Sequence, residues 1–232
     1  DYLSSFMKII TLLAALLDLI ISSNYLKTLK IFKIEYPILI LSSVLGMMIM
    51  ISSNDLIVFY MGLELQSLAL YVLATFNRDQ LKSSEAGLKY FVLSALSSGL
   101  LLYGCSLIYG FTGSTNFNLI ALELNSNQYA ITFGIVFILV GLAFKISAVP
   151  FHMWAPDVYE GSPTSVTLFF TMVPKIAALS VFIRFLYVPF LNLIDQWQMI
   201  LIFLSIASML LGAVAAIGQT NIKRLIAYSS IS

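Results

Sequence analysis

Charged residues are scarce in this sequence. Of its 232 residues, 12 are Lys or Arg and 11 are Asp or Glu, so 10% are charged, where soluble domains carry about 25%. The formal net charge is +1 and there is no basic tract, so the electrostatics give no reason to expect a nucleic-acid partner. Hydrophobic residues make up 60% of the chain, which places the protein in the membrane class.

Cysteine and histidine occur once each, as Cys105 and His152. One cysteine excludes a disulfide framework and an iron–sulfur centre ligated by thiolates. One histidine without clustered acids leaves too few ligands for a metal site. The sequence also lacks a glycine-rich phosphate loop after a strand and a Ser/His/Asp set on a suitable scaffold. We therefore expect no bound cofactor, no metal and no redox active site in this chain.

Long apolar runs account for the hydrophobic composition. A helix needs about 20 residues to span the hydrocarbon core of a membrane. We predict an all-α fold, a polytopic transmembrane helix bundle in a single domain of residues 1–232, with the start of an eighth helix at 219–232. The seven predicted spans are 4–21, 37–53, 56–76, 85–111, 129–149, 165–190 and 196–218.

The loops between these spans divide by charge. Loops 53–55, 112–127 and 192–196 contain no lysine or arginine, whereas the opposite loops contain seven. An excess of basic residues marks the cytoplasmic side of a membrane, or the matrix side in a mitochondrion. The loop after the fifth span lies on this basic side and carries only acids. The seven basic loop residues are Lys27, Lys30, Lys33, Arg78, Lys82, Lys223 and Arg224.

Residues 141–164 interrupt the fifth span with the sequence GLAFKISAVPFHMWAPDVYEGSPT. Pro150 removes a backbone donor and clashes with the preceding turn, which predicts a discontinuous helix that breaks after Lys145, near Val149-Pro150. Backbone groups freed at membrane depth are tolerated only inside protein or beside a hydrated cavity. A lysine buried next to a broken helix therefore indicates an ion pathway.

Four ionisable side chains lie inside the predicted spans: Glu64, Lys89, Lys145 and Lys175. Each costs about 2.5–3.5 kcal/mol on insertion scales unless it is paired or hydrated. Static pairing is the plain alternative to a functional role. It has most support for Lys89, because Glu85 lies four residues earlier and can pair with it near the helix end.

For the other three residues, one acid cannot neutralise two lysines near mid-depth. Burial disfavours the charged amine, so we expect at least one lysine to be neutral part of the time. An ion pair at about 4 Å is worth about 4 kcal/mol at an effective dielectric of about 20. Driving one charge against a membrane potential costs about 2.3 kcal/mol per 100 mV. We hypothesise that changes in the distance between Glu64 and Lys145 load and release protons.

Other polar residues allow more than one interpretation. His152 is either packed by Trp154 and capped by backbone, or a relay between Lys145 and the basic side, since histidine titrates near neutral pH. We expect Asp157 and Glu160 to cap or orient the helix that restarts after the break. The role of Asp18, inside the first span, is not settled by the sequence.

Five segments carry a resemblance to a known family. They resemble subunit 2, the N subunit, of proton-translocating NADH:quinone oxidoreductase, respiratory complex I, which is similar in turn to cation/proton antiporter subunits. The resemblance extends from about Pro37 to the end of the chain. The segments read DLIVFYMGLELQSLALYVL, SSEAGLKYFVLSALSSG, GLAFKISAVPFHMWAPDVYEGSPTSVT, PKIAALSVFIRF and QTNIKRLIAYSSIS.

The resemblance implies an antiporter-like fold with inverted repeats, each with a discontinuous helix. Glu64 matches the acid of the first half-channel and Lys145 its partner lysine at the broken helix. Lys175 matches the central lysine, and Lys89 an additional lysine of the preceding helix. The expected function is proton translocation coupled to quinone reduction, as one subunit of an enzyme. NADH, FMN, the iron–sulfur clusters and ubiquinone would be bound by other subunits.

The resemblance also sets expectations about partners and location. The family continues through further helices, so we expect a split-gene product that needs a second chain, or a piece of a longer protein, holding the first half-channel. Other membrane-arm subunits and the lipid bilayer are the expected partners. The mitochondrial inner membrane is the expected location, with the bacterial plasma membrane as the alternative. The competing functions are a subunit of a multi-chain cation/proton antiporter, a membrane-bound hydrogenase subunit, or a scaffold of locked charge pairs.

Overall fold

The computed structural model describes residues 2–29, 31–124 and 128–232, so Lys30 and residues 125–127 of the predicted loops lie outside the described residues. Seven helices in the described ranges are long and apolar enough to cross a membrane, which confirms the predicted all-α, multi-pass bundle. The helices are α1 (Tyr2–Thr28), α2 (Glu35–Ser52), α3 (Leu56–Ala74), α4 (Leu81–Thr112), α5 (Phe117–Glu123), α6 (Gln128–Ile146), α7 (Trp154–Gly161), α8 (Thr164–Tyr187), α9 (Ile194–Ile217) and α10 (Ile222–Ile231).

Several helices extend beyond the apolar runs that predicted them. Helix α4 begins at Leu81 rather than at residue 85, which places Lys89 about two turns inside the helix. An apolar run marks only the part of a helix that lies in hydrocarbon, and α4 continues past it into polar residues. The short helix α5 falls in the predicted loop 112–127, where Asn116 caps it by accepting from the amide of Asn118 at 3.0 Å.

The predicted break in the fifth span is confirmed. Helix α6 ends at Ile146 and α7 begins at Trp154, with turns between them. The Trp154 Nε1–H donates to the carbonyl of Phe144 at 2.9 Å, and the Val149 amide donates to Ser208 Oγ of α9 at 3.0 Å. The bond from Val149 pairs a backbone amide that the break frees inside the bundle, and the bond from Trp154 gives the Phe144 carbonyl a second donor beside the Ser147 amide at 3.0 Å.

Two pairs of helices approach each other backbone to backbone. A Cβ placed on Gly62 of α3 would lie 2.9 Å from the carbonyl oxygen of Gly46 on α2. A Cβ placed on Gly104 of α4 would lie 2.7 Å from the carbonyl oxygen of Gly134 on α6. Small residues allow this approach, which is a common basis of helix packing in membranes. The contacts fix α3 beside α2, and α4 beside α6.

The loops gather at two opposite ends of the bundle as the charge division predicted. At one end the Leu56 amide donates to the carbonyl of Thr115 at 2.9 Å, which joins two of the loops that lack lysine and arginine. At the other end Glu160 pairs with Lys82 and with Arg224, which joins the acid-only loop to two basic ones. Which end faces the cytoplasm stays a prediction.

Candidate functional site

Lys145 lies in the last turn of α6, where the helix breaks, and its side chain is buried. Its ammonium Nζ donates to Ser67 Oγ of α3 and to Ser94 Oγ of α4, each at 2.7 Å. Three helices therefore meet at this amine. The site that the sequence predicted from a lysine and a proline is a buried amine bound by two hydroxyl groups.

Glu64 lies on α3, three residues before Ser67 and hence on the same face of the helix. The carboxylate interacts electrostatically with Lys145. Its Oε1 is buried and has no hydrogen-bond partner among the described residues. The two predicted partners thus interact electrostatically, and two serines bind the lysine where a direct Glu64–Lys145 hydrogen bond would otherwise lie.

A tyrosine extends this cluster of hydroxyls. The Tyr71 hydroxyl donates to Ser94 Oγ at 2.7 Å, so that oxygen accepts from both Tyr71 and Lys145. Sequence reasoning missed Ser67, Ser94 and Tyr71. A signal was present for two of them, because Glu64, Ser67 and Tyr71 follow the spacing of one helix face on α3. We call Glu64, Ser67, Tyr71, Ser94 and Lys145 the Lys145 cluster.

Lys175 lies outside this cluster. It sits on α8 directly after Pro174, which the helix accommodates without a break. Its Nζ donates to the backbone carbonyl of Ser230 on α10 at 2.6 Å. The structure thus joins Lys175 to α10 rather than to Lys145.

Lys89 belongs to an ion-pair network at the basic end of the bundle. Its Nζ lies 2.9 Å from Glu85 and 3.0 Å from Asp157 of α7, so the i,i+4 pair considered for it is present. Arg224 of α10 binds Asp157 at 3.0 Å and also binds Glu160. We call Lys82, Glu85, Lys89, Asp157, Glu160 and Arg224 the basic-end network.

The carboxylates of α7 orient the restarted helix through these cations. The expected capping role is not observed, since α7 has no side-chain hydrogen bond at its N-cap. Hydrogen bonding to Arg224 holds the pKa of Glu160 below its ordinary value, and the same contact raises the pKa of Arg224. The network is partly exposed and is separate from the Lys145 cluster.

His152 lies in the turns between α6 and α7 and is buried. Its Nδ1 has no hydrogen-bond partner in the described part of the chain, while its carbonyl accepts from the Ala155 amide at 3.0 Å. The relay role stays a prediction. Among the described residues no group of three or more His, Cys, Asp or Glu side chains could hold a metal ion.

Comparison with known proteins adds to this geometry. The chain is 80% identical over 231 residues to NADH-quinone oxidoreductase subunit N from Pelagibacter ubique, a match that covers 100% of this chain and 49% of that protein. It also resembles a chain in the structure of respiratory complex I from Thermus thermophilus with bound aureothin. That match has a TM-score of 0.82 and 35% identity and covers 100% of this chain and 49% of the other.

A third match is to the structure of the Mrp complex from Dietzia sp. DQ12-45-1b, with a TM-score of 0.85, 24% identity and coverage of 100% of this chain and 43% of the other. At that identity the likeness shows the fold alone. The chain spans about half the length of the curated relatives it matches. Residues 53–232 match the transmembrane family described as NADH:quinone oxidoreductase/Mrp antiporter. The chain therefore belongs to the NADH:quinone oxidoreductase/Mrp antiporter family of transmembrane proteins.

Proposed function

We propose that this chain is a proton-translocating part of the membrane arm of respiratory complex I, as a subunit of an NADH:quinone oxidoreductase. The observation that carries the proposal is the Lys145 amine, buried at a helix break and bound by Ser67 and Ser94. A buried ionisable group beside interrupted backbone is the arrangement expected of a proton pathway. The name of the Pelagibacter relative supports the assignment to this complex.

In this proposal Lys145 carries the proton and Glu64 controls its affinity. A hydroxyl group can accept from a charged amine and can donate to a neutral one. Ser94 can do both, whereas the Ser67 hydroxyl donates to the Leu63 carbonyl at 2.7 Å and accepts from the amine. Motion of the Glu64 carboxylate towards the amine favours the charged form, and motion away favours release. Tyr71, hydrogen-bonded to Ser94, offers a further hydroxyl along which a proton can pass.

The remaining residues have subordinate roles. Lys175 accepts the proton after Lys145 and passes it on, and His152, buried at the break, connects Lys145 with the basic end. Lys89 lies at that end in contact with two carboxylates, which suits a group that gathers protons at the surface. These assignments rest on the resemblance and on the positions of the residues. Each can be tested by substituting the residue concerned.

The proposed setting follows from the relatives. The partners are other membrane-arm subunits and the polypeptide that supplies the remaining helices of the family, whether in this chain or in a second one. NADH, FMN, iron–sulfur clusters and ubiquinone are bound elsewhere in the complex. The relatives named above are bacterial, which favours the bacterial plasma membrane over the mitochondrial inner membrane.

A subunit of a multi-chain cation/proton antiporter is the second candidate, favoured by the likeness in fold to the Mrp complex. The genes that neighbour this one would separate the two functions. Genes for quinone-module subunits are expected under the main proposal, and genes for further antiporter subunits under the second.

Substitution of Lys145 tests the main proposal. We expect Lys145→Met in the assembled complex, reconstituted into vesicles, to lower the number of protons moved per NADH oxidised at least several-fold. Lys33→Met is the matched control, because Lys33 is an exposed lysine of a basic loop. Native electrophoresis should show that both variants assemble. Unchanged pumping in an assembled Lys145→Met complex would show that the charges form a static scaffold.

A further inference from the structure

A second buried polar cluster lies between α1, α2 and α8, away from Lys145. Asp18 of α1 is 4% exposed, and neither of its carboxylate oxygens has a hydrogen-bond partner among the described residues. The hydroxyls of Tyr36 on α2 and Ser165 on α8 are likewise buried without a partner in that part of the chain. Buried polar groups are normally satisfied, so this concentration calls for a ligand.

These groups are neighbours. The Tyr36 hydroxyl interacts electrostatically with Asp18 and lies beside the hydroxyls of Ser22 and Ser165. Ser22 is one turn from Asp18 on α1 and donates to the carbonyl of Leu19 at 3.3 Å, which leaves its oxygen able to accept. The Asp18 cluster (Asp18, Ser22, Tyr36 and Ser165) therefore joins one carboxyl to three hydroxyls contributed by three helices.

The charge of Asp18 identifies the ligand. An ionised carboxylate buried without a counter-ion costs several kcal/mol, so the site must hold a positive charge. A proton supplies that charge and also gives the carboxyl a donor, which lets the carboxyl and the hydroxyls satisfy one another. We propose that Asp18 is a proton-binding site that takes up and releases its proton through the hydroxyls of Ser22, Tyr36 and Ser165.

The cluster is connected to the basic end of the bundle. Asp18, Ser22 and Tyr25 are four and three residues apart and share one face of α1. The Tyr25 hydroxyl donates to Thr164 Oγ1 of α8 at 3.1 Å, at an exposed position. Asp18 is ten residues, or about 15 Å, from the basic end of α1. The members on α2 and α8 each occupy the second position of their helix, at the same end.

Among the described residues, no basic side chain hydrogen-bonds to the Asp18 carboxylate, and Lys8 of α1 lies ten residues, or about 15 Å, from it along the helix. Tyr36 is the titratable group that faces it from α2. On α8, Lys175 and Arg184 donate to backbone carbonyls of α10 and α2. On α1 itself, Lys27 lies over the ring of Phe32, with its Nζ 5.7 Å from the centroid. Glu35, at the start of α2, is exposed. The proton is therefore the partner that the geometry leaves for Asp18.

Infrared difference spectroscopy of the complete complex in lipid vesicles tests the proposal. A protonated carboxyl has a C=O stretching band distinct from that of a carboxylate, and the band of an exchangeable acid shifts in D2O. We expect the complex to show such a band, Asp18→Asn to lose it, and the matched control Asp195→Asn to keep it. Asp195 is an exposed acid in the first turn of α9.

Three results would overturn the proposal. The first is an unchanged band in Asp18→Asn. The second is a band that disappears in the variant but never shifts in D2O, which indicates a sealed acid. The third is a carboxylate band that responds to added NaCl and not to pH, which assigns the site to a metal cation.

A further variant covers a failure of Asp18→Asn to assemble. Tyr36→Phe keeps the ring, which packs on Phe76 at a centroid distance of 5.3 Å, and removes the hydroxyl that faces Asp18. We expect it to shift the frequency of the Asp18 band, and an unshifted band contradicts the proposed contact. Proton binding at Asp18 is independent of the proposed translocation. Unchanged pumping in Lys145→Met, which would refute that function, leaves the Asp18 band as it is.

Discussion

At the scale of single residues, Lys145 donates to hydroxyl oxygens and not to a carboxylate. A carboxylate in direct contact would favour the charged amine strongly, because opposite charges attract more in a low dielectric. Ser67 and Ser94 carry no formal charge, so they bind the amine without the strong preference for its charged form that a carboxylate in contact would give. In the proposed mechanism Glu64, which interacts electrostatically with the lysine but is not hydrogen-bonded to it, sets the preference between the charged and neutral amine. The arrangement suits a group that changes its protonation state during turnover.

Removal of one hydroxyl should weaken this site. We expect Ser94→Ala in the assembled complex to slow proton translocation by at least about tenfold, since a hydrogen bond to a charged group is worth about 1.5–3 kcal/mol. The measurement is the initial rate of acidification in vesicles, with NADH oxidation followed in parallel.

Ser106→Ala is the control for this substitution. Ser106 lies on the same helix, is exposed, and donates only to the carbonyl of Tyr103 at 2.7 Å. Equal rates for the two variants would mean that Ser94 does not hold Lys145 during transport.

The sequence predicts part of this site and not the rest, for a physical reason. Glu64, Lys145 and Lys175 are visible because a charge in an apolar run is costly and therefore rare. Serines and tyrosines are common in membrane helices, and which of them meet depends on how the helices pack. The contact of Lys145 with Ser94 crosses 51 residues of chain. Among the hydroxyl residues of the cluster, only Ser67 and Tyr71 leave a signal in the sequence, because their spacing from Glu64 places them on one face of α3.

At the scale of helices, Pro150 predicts where α6 must end, because a proline removes a backbone donor whatever its surroundings. The groups that satisfy the broken end could not be predicted. Trp154 and Ser208 reach the freed backbone from α7 and α9, and their positions follow from tertiary packing. The same limit explains why the pairing of α4 with α6 through glycines appears only in the structure.

The contact between α4 and α6 allows a prediction about stability. Gly104→Ala places a Cβ 2.7 Å from a backbone oxygen of α6, so one helix must shift. We expect a loss of about 1–3 kcal/mol, as for other overpacked interiors, and a lower yield of assembled complex. Thermal unfolding of the purified complex and native electrophoresis measure the two effects.

Gly99→Ala provides the comparison on the same helix. A Cβ on Gly99 meets nothing within 4 Å, and alanine favours the helix by about 1 kcal/mol. This variant should be neutral or slightly more stable. If Gly99→Ala and Gly104→Ala were equally destabilised, the cause would be the loss of a glycine as such and not the close approach of α6.

At the scale of the whole molecule, the basic-end network joins the restarted helix α7 to two of its neighbours, α4 and α10. Lys82 and Lys89 hold it from α4, and Arg224 holds it from α10. The polypeptide between Lys145 and α7 is therefore fixed at the Lys145 end by contacts inside the bundle and at the α7 end by ion pairs. These pairs are exposed enough to be screened by salt.

Substitution of Glu160, which pairs with both Lys82 and Arg224, tests whether ion pairs attach α7 to its neighbours. We expect Glu160→Gln to lower the unfolding temperature modestly, because exposed ion pairs contribute about 0.2–1 kcal/mol each, and to do so less at high salt. The contribution should be fully present above the ordinary glutamate pKa of 4.5 and be lost as the pH falls through the lower value that Arg224 imposes. Thermal unfolding at two salt concentrations and at several pH values provides the measurement.

Asp79→Asn is the matched control. Asp79 is an exposed acid between α3 and α4 that belongs to no pair of the network. A salt-independent effect of Glu160→Gln, or an equal effect of both substitutions, would contradict an ion-pair attachment of α7.

Lys175 binds a main-chain carbonyl of α10, and no side chain in the described ranges accepts a hydrogen bond from it. A charged donor makes a hydrogen bond roughly twice as strong as a neutral one. Loss of a proton from Lys175 would therefore weaken its hydrogen bond to the carbonyl of Ser230. The protonation state of this one amine is thereby coupled to the position of α10, which is a mechanical link between charge and helix displacement.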